Sequence, residues 1–255
     1  MAFGDVFDGY CVLHAPFATA HRRPQFEREL LRIGVTRFQV VEARRVPPDE
    51  PDAAPFKSPA ELSLLDAFAS AIRLARDSGW GSVAIFEDDV IFRRRFTRRW
   101  AQVEEAVRNT PWDVLTLHRW SWKDQITIER LLARTSLVPI RWTLCAHALV
   151  IRAQGYDKAL LALTECREAG RPADFFVGRL TRSGGVLLAT SHNLAGQTSH
   201  LGGSTIQGGE TKRRRLRYDF LTRFGSYRSR LEFWAVRAGR GVLRFSRGLT
   251  GRAQR

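Results

Sequence analysis

The segment VAIFEDDVIF, residues 83–92, places three consecutive carboxylates, Glu87, Asp88 and Asp89, inside a hydrophobic run. Like charges this close together raise a pKa or require a cation. Carboxylate oxygens are hard ligands that suit Mg²⁺ or Mn²⁺, ions that keep positions open for substrate phosphates. Because side chains alternate along a strand, the spacing predicts that Glu87 and Asp89 bind the metal while Asp88 points the other way. A solvated acidic turn is the alternative.

Two further residues have side chains suited to catalysis. Asp174 precedes Phe175 and Phe176, which could desolvate its carboxyl group and raise its pKa toward that of a useful general base. Its alternative role is a helix N-cap. His192 follows a predicted strand and could complete the metal shell or contact a diphosphate, although a histidine in this position more often makes an ordinary hydrogen bond.

Substrate contacts are predicted at other strand ends. Trp120 and Trp122 directly follow a predicted strand end, where an exposed ring could stack on a ligand, although tryptophan is mostly a core residue. His14, Arg22 and Glu42 lie near the ends of the first two predicted strands. Their positions make all three residues candidates for ligand contacts.

Short apolar runs alternate with segments of helical periodicity. Strands are predicted over 12–14, 38–41, 82–87, 114–117, 146–151 and 186–189, and helices over 25–32, after Ser58, after Thr97 and over 156–163. Ser58 to Glu61 has the form of a capping box, and Thr97 is expected to cap its helix. The alternation predicts an α/β fold with a largely parallel sheet, which binds ligands beyond the carboxyl ends of its strands.

The composition is that of a globular protein with a very basic end. Of the 255 residues 44% are hydrophobic, and the formal net charge is +15. Fourteen basic residues against two acidic ones lie in 212–255, which predicts a catalytic domain over 1–211 and a basic amphipathic segment over 212–255. The acidic N-terminal sequence and the absence of a long apolar run predict neither a secretory signal nor a membrane span. Three widely spaced cysteines predict buried thiols in a reducing cytosol.

Arginines in 212–255 are interleaved with aromatic and aliphatic residues. This pattern is typical of a segment lying in a membrane interface. We therefore expect an anionic membrane surface as a partner and a cytoplasmic location, peripheral on the inner face of the cytoplasmic membrane. A helix that packs its apolar side on the body is the alternative. A nucleic-acid-binding protein is a rival function, but the nearly balanced charge of the body disfavours a nucleic acid partner.

The tetrapeptide EDDV at 87–90 resembles a motif of glycosyltransferase family 25, enzymes of bacterial lipooligosaccharide synthesis with relatives among collagen galactosyltransferases. The resemblance covers roughly residues 9–206, and other segments similar to the family are, in order, HRRPQFERELLRIGV, FQVVEARRV, SPAELSLLDAF, WDVLTLHR, CAHALVIRAQGYDKALL, ADFFVGRL and NLAGQTSHLGGSTI. The chain departs from the family at Ala67-Phe68, where a Ser-His pair is usual, and at Thr205, where the family has aspartate.

The resemblance implies a GT-A-like nucleotide-sugar-binding fold and an inverting, metal-assisted hexosyltransferase. The implied donor is a nucleotide sugar, most of all a UDP-sugar. The implied acceptor is a glycan or lipid-linked glycan in lipopolysaccharide or surface polysaccharide synthesis.

The family pattern also implies roles for individual residues. Glu87 and Asp89 would hold Mn²⁺ or Mg²⁺, and Asp174 would deprotonate the acceptor. Asp88 would contact the donor ribose or sugar, together with Gln197, which matches the family's glutamine. For such a donor, we expect contacts to its base and ribose from His14, Arg22 and Glu42. Trp120 and Trp122 could stack on the acceptor sugar. For Asp88 the alternative is a surface carboxylate pairing with a neighbouring arginine, Arg93 or Arg94. A metal-dependent phosphoesterase using the same acidic trio is a further rival function.

Overall fold

A computed structural model of the chain describes residues 2–118, 137–141, 143, 146–191 and 193–197. These residues all belong to one compact unit within 1–209. The predicted contacts Trp120, Trp122 and His192 lie outside the described residues, as do Cys145 and the segment 212–255. The predictions made for them, and the predicted domain boundary at 211, therefore stay predictions.

Nine strands are present in the described part of the chain: β1 (Gly9–His14), β2 (Gln39–Glu42), β3 (Ser82–Glu87), β4 (Val90–Phe92), β5 (Val114–Thr116), β6 (Leu137–Pro139), β7 (Ala148–Arg152), β8 (Leu187–Thr190) and β9 (Ala195–Gln197). Seven of them form one sheet in the order β2-β1-β3-β7-β5-β8-β6, and β4 pairs with β9. Strands β7 and β6 run antiparallel to their neighbours, whereas the other five share one direction. The α/β prediction is confirmed, with a mixed but largely parallel sheet.

Helices pack on both faces of the sheet, and those of the described residues are α1 (Pro16–Thr19), α2 (Arg23–Arg32), α3 (Pro59–Asp77), α4 (Phe96–Asn109), α5 (Ala153–Glu168) and α6 (Phe176–Arg182). Helices α3, α5 and α6 contribute to the core on one face. Helices α2 and α4 cover the other face together with Phe3. Both cores are built from side chains at helical spacing, such as Trp100, Val103 and Val107 of α4, which removes apolar surface from water.

One predicted helix cap is wrong, and the other has the predicted position without the predicted bonds. Helix α4 begins at Phe96, so Thr97 lies inside its first turn and Arg95 occupies the capping position. At α3, Ser58 is the N-cap residue but makes no side-chain capping bond. The carboxylate of Glu61 accepts a hydrogen bond from the backbone N–H of Lys57, the residue before the cap, so the reciprocal Ser58–Glu61 pair of a capping box is not formed. At the other end of α3, Gly79 follows the C-cap residue Ser78 and ends the helix with a positive φ of 68°.

The predictions for two of the cysteines and for strand β3 agree with the structure. Cys11 and Cys166 are buried free thiols, and burial raises the pKa of Cys166 to about 11. Among the described helices, none combines the length and the apolar character needed to cross a bilayer. Strand β3 has the predicted bounds, so the acidic trio begins at its last residue, Glu87.

Candidate active site

The acidic trio lies in a turn between β3 and β4. Glu87 ends β3, while Asp88 and Asp89 form the turn and Val90 begins β4. Because the extended backbone stops at Glu87, simple alternation of side chains does not continue through the trio. Asp88 and Asp89 are both buried, and a single arginine, Arg22, approaches both of them. The interpretation as a solvated acidic turn is therefore wrong.

Asp88 is enclosed by side chains from the segment that follows β1. Its Oδ1 accepts a hydrogen bond from Arg22 Nη1 at 2.8 Å. Its Oδ2 lies 2.8 Å from His14 Nδ1 and also accepts a hydrogen bond from the Thr19 hydroxyl. Asp88 is only 6% exposed. The suggested surface pair with Arg93 or Arg94 is thus wrong, and both carboxylate oxygens already have protein partners.

Arg22 connects Asp88 to Asp89. Its Nη1 is 3.8 Å from Asp89 Oδ2, one ångström farther than from Asp88 Oδ1. Arg22 is the last residue of the 3₁₀ turn Ala20–Arg22, which directly precedes α2. The predicted donor residues His14 and Arg22 are therefore brought to the acidic turn, but their described contacts are with its carboxylates.

Glu87 lies close enough to the other three carboxylates of the site to be affected by their charge. Burial is the largest cause that raises its pKa well above the usual value, and repulsion from Asp89, Asp174 and Asp88 adds to it. Arg22 acts in the opposite direction. The Glu87 Oε2 accepts a hydrogen bond from Gln197 Nε2 at 3.3 Å, since β9 pairs with β4 and places Gln197 opposite Val90. Gln197, predicted as a donor contact, thus contacts an acidic residue of the site.

Asp174 is close to the acidic turn although it lies far from it in the sequence. It lies in the 3₁₀ turn Ala173–Phe175, and its Oδ1 accepts a hydrogen bond from the backbone N–H of Ala146 at 3.0 Å. The N-cap alternative is wrong, because α6 begins after Phe175 and that bond runs to a distant segment. Burial raises the pKa of Asp174 to about 6, with a further contribution from Glu61.

The source of that burial differs from the predicted one. Phe176 is fully buried against Phe68, with ring centroids 5.6 Å apart. Phe175, in contrast, has 43% of its surface exposed. The two phenylalanines therefore point to different environments, and the predicted desolvation by the pair is wrong in its detail although the pKa of Asp174 is raised.

Two buried histidines next to the site were missed. His118 follows β5, His147 precedes β7, and the His118 Nδ1 faces the His147 Nε2 at 2.5 Å. Burial lowers the pKa of His118 to about 3, with help from Arg93, and burial also lowers the pKa of His147. Both rings are therefore neutral near pH 7. The position of His118 directly after the predicted strand 114–117, the rule applied to His14, is the signal that could have found it, whereas His147 lies inside the predicted strand 146–151.

The backbone around His147 also shapes the site. The carbonyl of His147 accepts a hydrogen bond from the Glu87 N–H at 3.0 Å. In the antiparallel pair of β3 and β7, Phe86 lies opposite Ala148, so His147 comes next to Glu87 in the same register. Residues 146 and 147 thus contact Asp174 and Glu87 through adjacent main-chain groups.

The described side chains supply only part of the ligand shell that a hard divalent cation needs. Glu87 and Asp89 are carboxylates whose mutual repulsion a cation would relieve, which is the chemistry that Mg²⁺ or Mn²⁺ prefers. Among the described residues no three His, Cys, Asp or Glu side chains form a ready-made metal cluster. The third predicted ligand, His192, lies outside the described residues. The two carboxylates therefore fit a cation whose remaining ligands are substrate oxygens and water.

Glu42 lies apart from these contacts. It ends β2, is exposed, and pairs in register with His14 of β1. It therefore stands at the carboxyl edge of the sheet, and its predicted donor contact stays a prediction.

Comparisons with known proteins found only distant structural similarity. No family model matches the chain, and no curated protein matches it. Among solved structures, a glycosyltransferase involved in glycosylation of the major capsid of PBCV-1 is 12% identical with a TM-score of 0.45, covering 82% of this chain and 98% of its own. A mutant Drosophila β1,4-galactosyltransferase 7 complexed with manganese, UDP-Gal and xylobiose is 12% identical with a TM-score of 0.37, covering 82% and 79%. A protein from STIV is 12% identical with a TM-score of 0.41, covering 71% and 79%.

Proposed function

We propose that the protein is a glycosyltransferase that moves a sugar from a nucleotide-sugar donor to a saccharide acceptor. The observation that carries the proposal is the convergence of Glu87, Asp89 and Asp174 at the carboxyl edge of the sheet. Repulsion from Asp89 and Asp174 helps to raise the pKa of Glu87. A repulsive acidic cluster of this kind is suited to a cation and a diphosphate, and the resemblance of EDDV to glycosyltransferase family 25 agrees with that chemistry.

Asp174 is the proposed general base. Its Oδ1 is held by the N–H of Ala146, so Oδ2 is the oxygen available to accept the acceptor's hydroxyl proton. A pKa of about 6 keeps the carboxyl group largely ionised at pH 7 and more basic than an ordinary aspartate. As the proton moves to Oδ2, the acceptor oxygen bonds to the anomeric carbon and the bond from that carbon to the diphosphate breaks. A direct displacement of this kind inverts the anomeric configuration.

Glu87 and Asp89 would hold the divalent cation, which would act as a Lewis acid on the leaving diphosphate. Gln197 orients the Glu87 carboxylate through its side-chain N–H. Arg22 lies beside Asp89 and contributes positive charge to the same region.

Asp88 takes a different role from the one that the family pattern implies. Its two oxygens are bound by Arg22, His14 and Thr19, so we assign it to positioning Arg22 rather than to contacting the donor. A buried carboxylate that is paired and hydrogen-bonded in this way fixes the geometry of its partners.

The experiment that tests the proposal is a thermal-shift screen of UDP-, GDP- and CMP-sugars with and without Mn²⁺, followed by an assay of nucleotide release with saccharide acceptors. A donor that binds only the folded state raises the melting temperature. We expect a Mn²⁺-dependent shift with a UDP-sugar and acceptor-dependent release of UDP. Hydrolysis of a phosphomonoester or phosphodiester without binding of any nucleotide sugar would instead support the phosphoesterase.

The finer assignments extend the same proposal. A UDP-hexose donor, a lipid-linked glycan acceptor and a role in lipopolysaccharide or surface polysaccharide synthesis follow from the family resemblance. Peripheral attachment to the inner face of the cytoplasmic membrane is proposed from the basic segment 212–255. Analysis of the product by mass spectrometry, with acceptors from a membrane extract, tests the substrate class.

A further inference from the structure

A run of arginines follows the acidic turn within the folded unit. Five arginines occupy seven positions from Arg93 to Arg99, and the first acidic residue after Asp89 is Glu104. The run spans the connection from β4 to α4 and the first turn of α4. It belongs to 1–209 and is therefore distinct from the basic segment 212–255.

Three of these arginines form a surface, which we call the arginine patch: Arg94, Arg95 and Arg98. All three side chains are exposed. Within the described residues their guanidinium groups take part in no ion pair, although many other arginines of the body do, such as Arg44 and Arg167. The first turn of α4 carries no acidic side chain, and the positive end of the helix dipole adds to the charge there.

This arrangement is electrostatically unfavourable without an external anion. Repulsion between neighbours is visible at Arg99, whose pKa is lowered by burial and then by Arg95. Guanidinium groups bind phosphate oxygens in bidentate geometry, which makes phosphate the natural counterion class.

The surroundings of the patch favour a lipid surface over a nucleic acid. The two aromatic side chains of this segment, Phe96 and Trp100, are each 1% exposed, so they offer no ring on which a base could stack. Arg32 of α2 donates hydrogen bonds to the carbonyls of Phe92 and Arg93, which brings the end of α2 beside the patch. There Leu31 has 57% of its surface exposed, an apolar side chain of the kind that enters an interface.

We propose that the arginine patch docks the folded unit on a membrane surface rich in anionic phospholipids. Only the three residues of β4 separate Asp89 from Arg93, a span of about 13 Å for an extended chain. Docking through the patch therefore holds the acidic turn close to the headgroup layer. The inference does not depend on which group the site transfers.

The test uses full-length protein, so that the contribution of 212–255 is constant. The patch variant carries R94Q, R95Q and R98Q. A matched control carries R73Q, R141Q and R182Q, three exposed arginines outside the patch that remove the same charge. Binding is measured by co-sedimentation with vesicles of phosphatidylcholine containing 30% phosphatidylglycerol, and thermal unfolding confirms that each variant is folded.

We expect the patch variant to bind these vesicles about 10- to 100-fold more weakly than wild type, because each arginine near an anionic surface contributes substantially to binding. The control should stay within about 3-fold of wild type, and a variant with R94K, R95K and R98K should regain most of the binding. Equal losses in patch and control variants, or no loss in the patch variant, would overturn the proposal. So would a larger loss of binding to duplex DNA than to vesicles at matched salt.

Discussion

The guanidinium of Arg22 and the carboxylate of Asp88 form a buried pair, with Nη1 2.8 Å from Oδ1. The pair joins the segment after β1 to the turn after β3, two parts of the chain 66 residues apart. Removing one partner of a buried ion pair leaves the other charge without compensation. The stability of the acidic turn is therefore coupled to the segment that carries Arg22.

We predict that D88N lowers the free energy of unfolding by roughly 2–4 kcal/mol, because Arg22 would remain buried beside a neutral amide. The matched control is D157N, which removes a carboxylate 86% exposed and paired with Arg76, and which should change stability by less than about 0.5 kcal/mol. Urea denaturation monitored by tryptophan fluorescence measures both. Equal effects of the two substitutions would refute the structural role of Asp88.

For Asp174 we predict that D174N reduces turnover by roughly two to four orders of magnitude while donor affinity changes little, since asparagine can accept the Ala146 hydrogen bond but cannot take a proton. Single-turnover kinetics and donor titration separate the two effects. In the wild-type enzyme kcat/KM should rise with pH through about 6. Turnover within a few-fold of wild type would mean that the base is another residue.

The D174N variant also tests the pKa of Asp174 through the pH dependence of stability. The pKa of Asp174 is raised from 3.8 to about 6 in the folded protein, so the folded state holds the proton more tightly than the unfolded state. Metal-free wild-type protein should therefore lose up to about 3 kcal/mol of stability relative to D174N as the pH rises from 4 to 6. Denaturation in EDTA at a series of pH values measures this difference. A constant difference would show that the carboxyl group has an ordinary pKa.

Replacing Asp89 tests the metal. We predict that D89A abolishes transfer and Mn²⁺-dependent donor binding while the fold survives, because removing one member of a repulsive cluster costs little without the cation. E105A, at an exposed position of α4, is the control and should behave as wild type. Calorimetric titration with Mn²⁺ and donor gives the readout. Activity of the wild-type enzyme that is indifferent to EDTA would exclude the assignment.

The His118–His147 pair gives stability a pH dependence opposite to that of Asp174. The pKa of His118 is lowered from 6.5 to about 3, so the unfolded state binds more protons once the pH falls below 6.5. Wild-type stability should therefore fall by roughly 1–2 kcal/mol relative to H118Q between pH 7 and pH 5. Parallel denaturation curves of the two proteins over this range would contradict the buried, neutral state of the pair.

A truncation addresses the basic segment. Deletion of 212–255 should leave a folded protein that still binds nucleotide sugar and that binds anionic vesicles more weakly than the full chain. Circular dichroism, thermal shift and co-sedimentation measure the three properties. An insoluble or unfolded product would instead support the packing of that segment on the body.

The sequence predicts β3 and its acidic end well, because a strongly apolar strand followed by carboxylates has few other interpretations. It does not predict the partners of Asp88, since Thr19 ends the one-turn helix α1 and Arg22 ends the 3₁₀ turn after it, and neither element is long enough to give a periodic signal. The reversed direction of β7 was also missed, because an apolar run such as 148–152 carries no information about strand direction. The cap at Thr97 failed since Phe96 already packs into the core.

That reversed strand has a consequence for how the site is built. It brings the start of β7, rather than its end, to the end of β3, where the N–H of Ala146 binds Asp174 and the C=O of His147 binds Glu87. The residues that carry the two carboxylates are thus held by main-chain groups of consecutive residues, because the N–H of Ala146 binds the Asp174 carboxylate and the C=O of His147 binds the backbone N–H of Glu87. Replacing the Ala146 side chain leaves both hydrogen bonds possible, whereas inserting a residue between His147 and β7 would move both groups relative to β3.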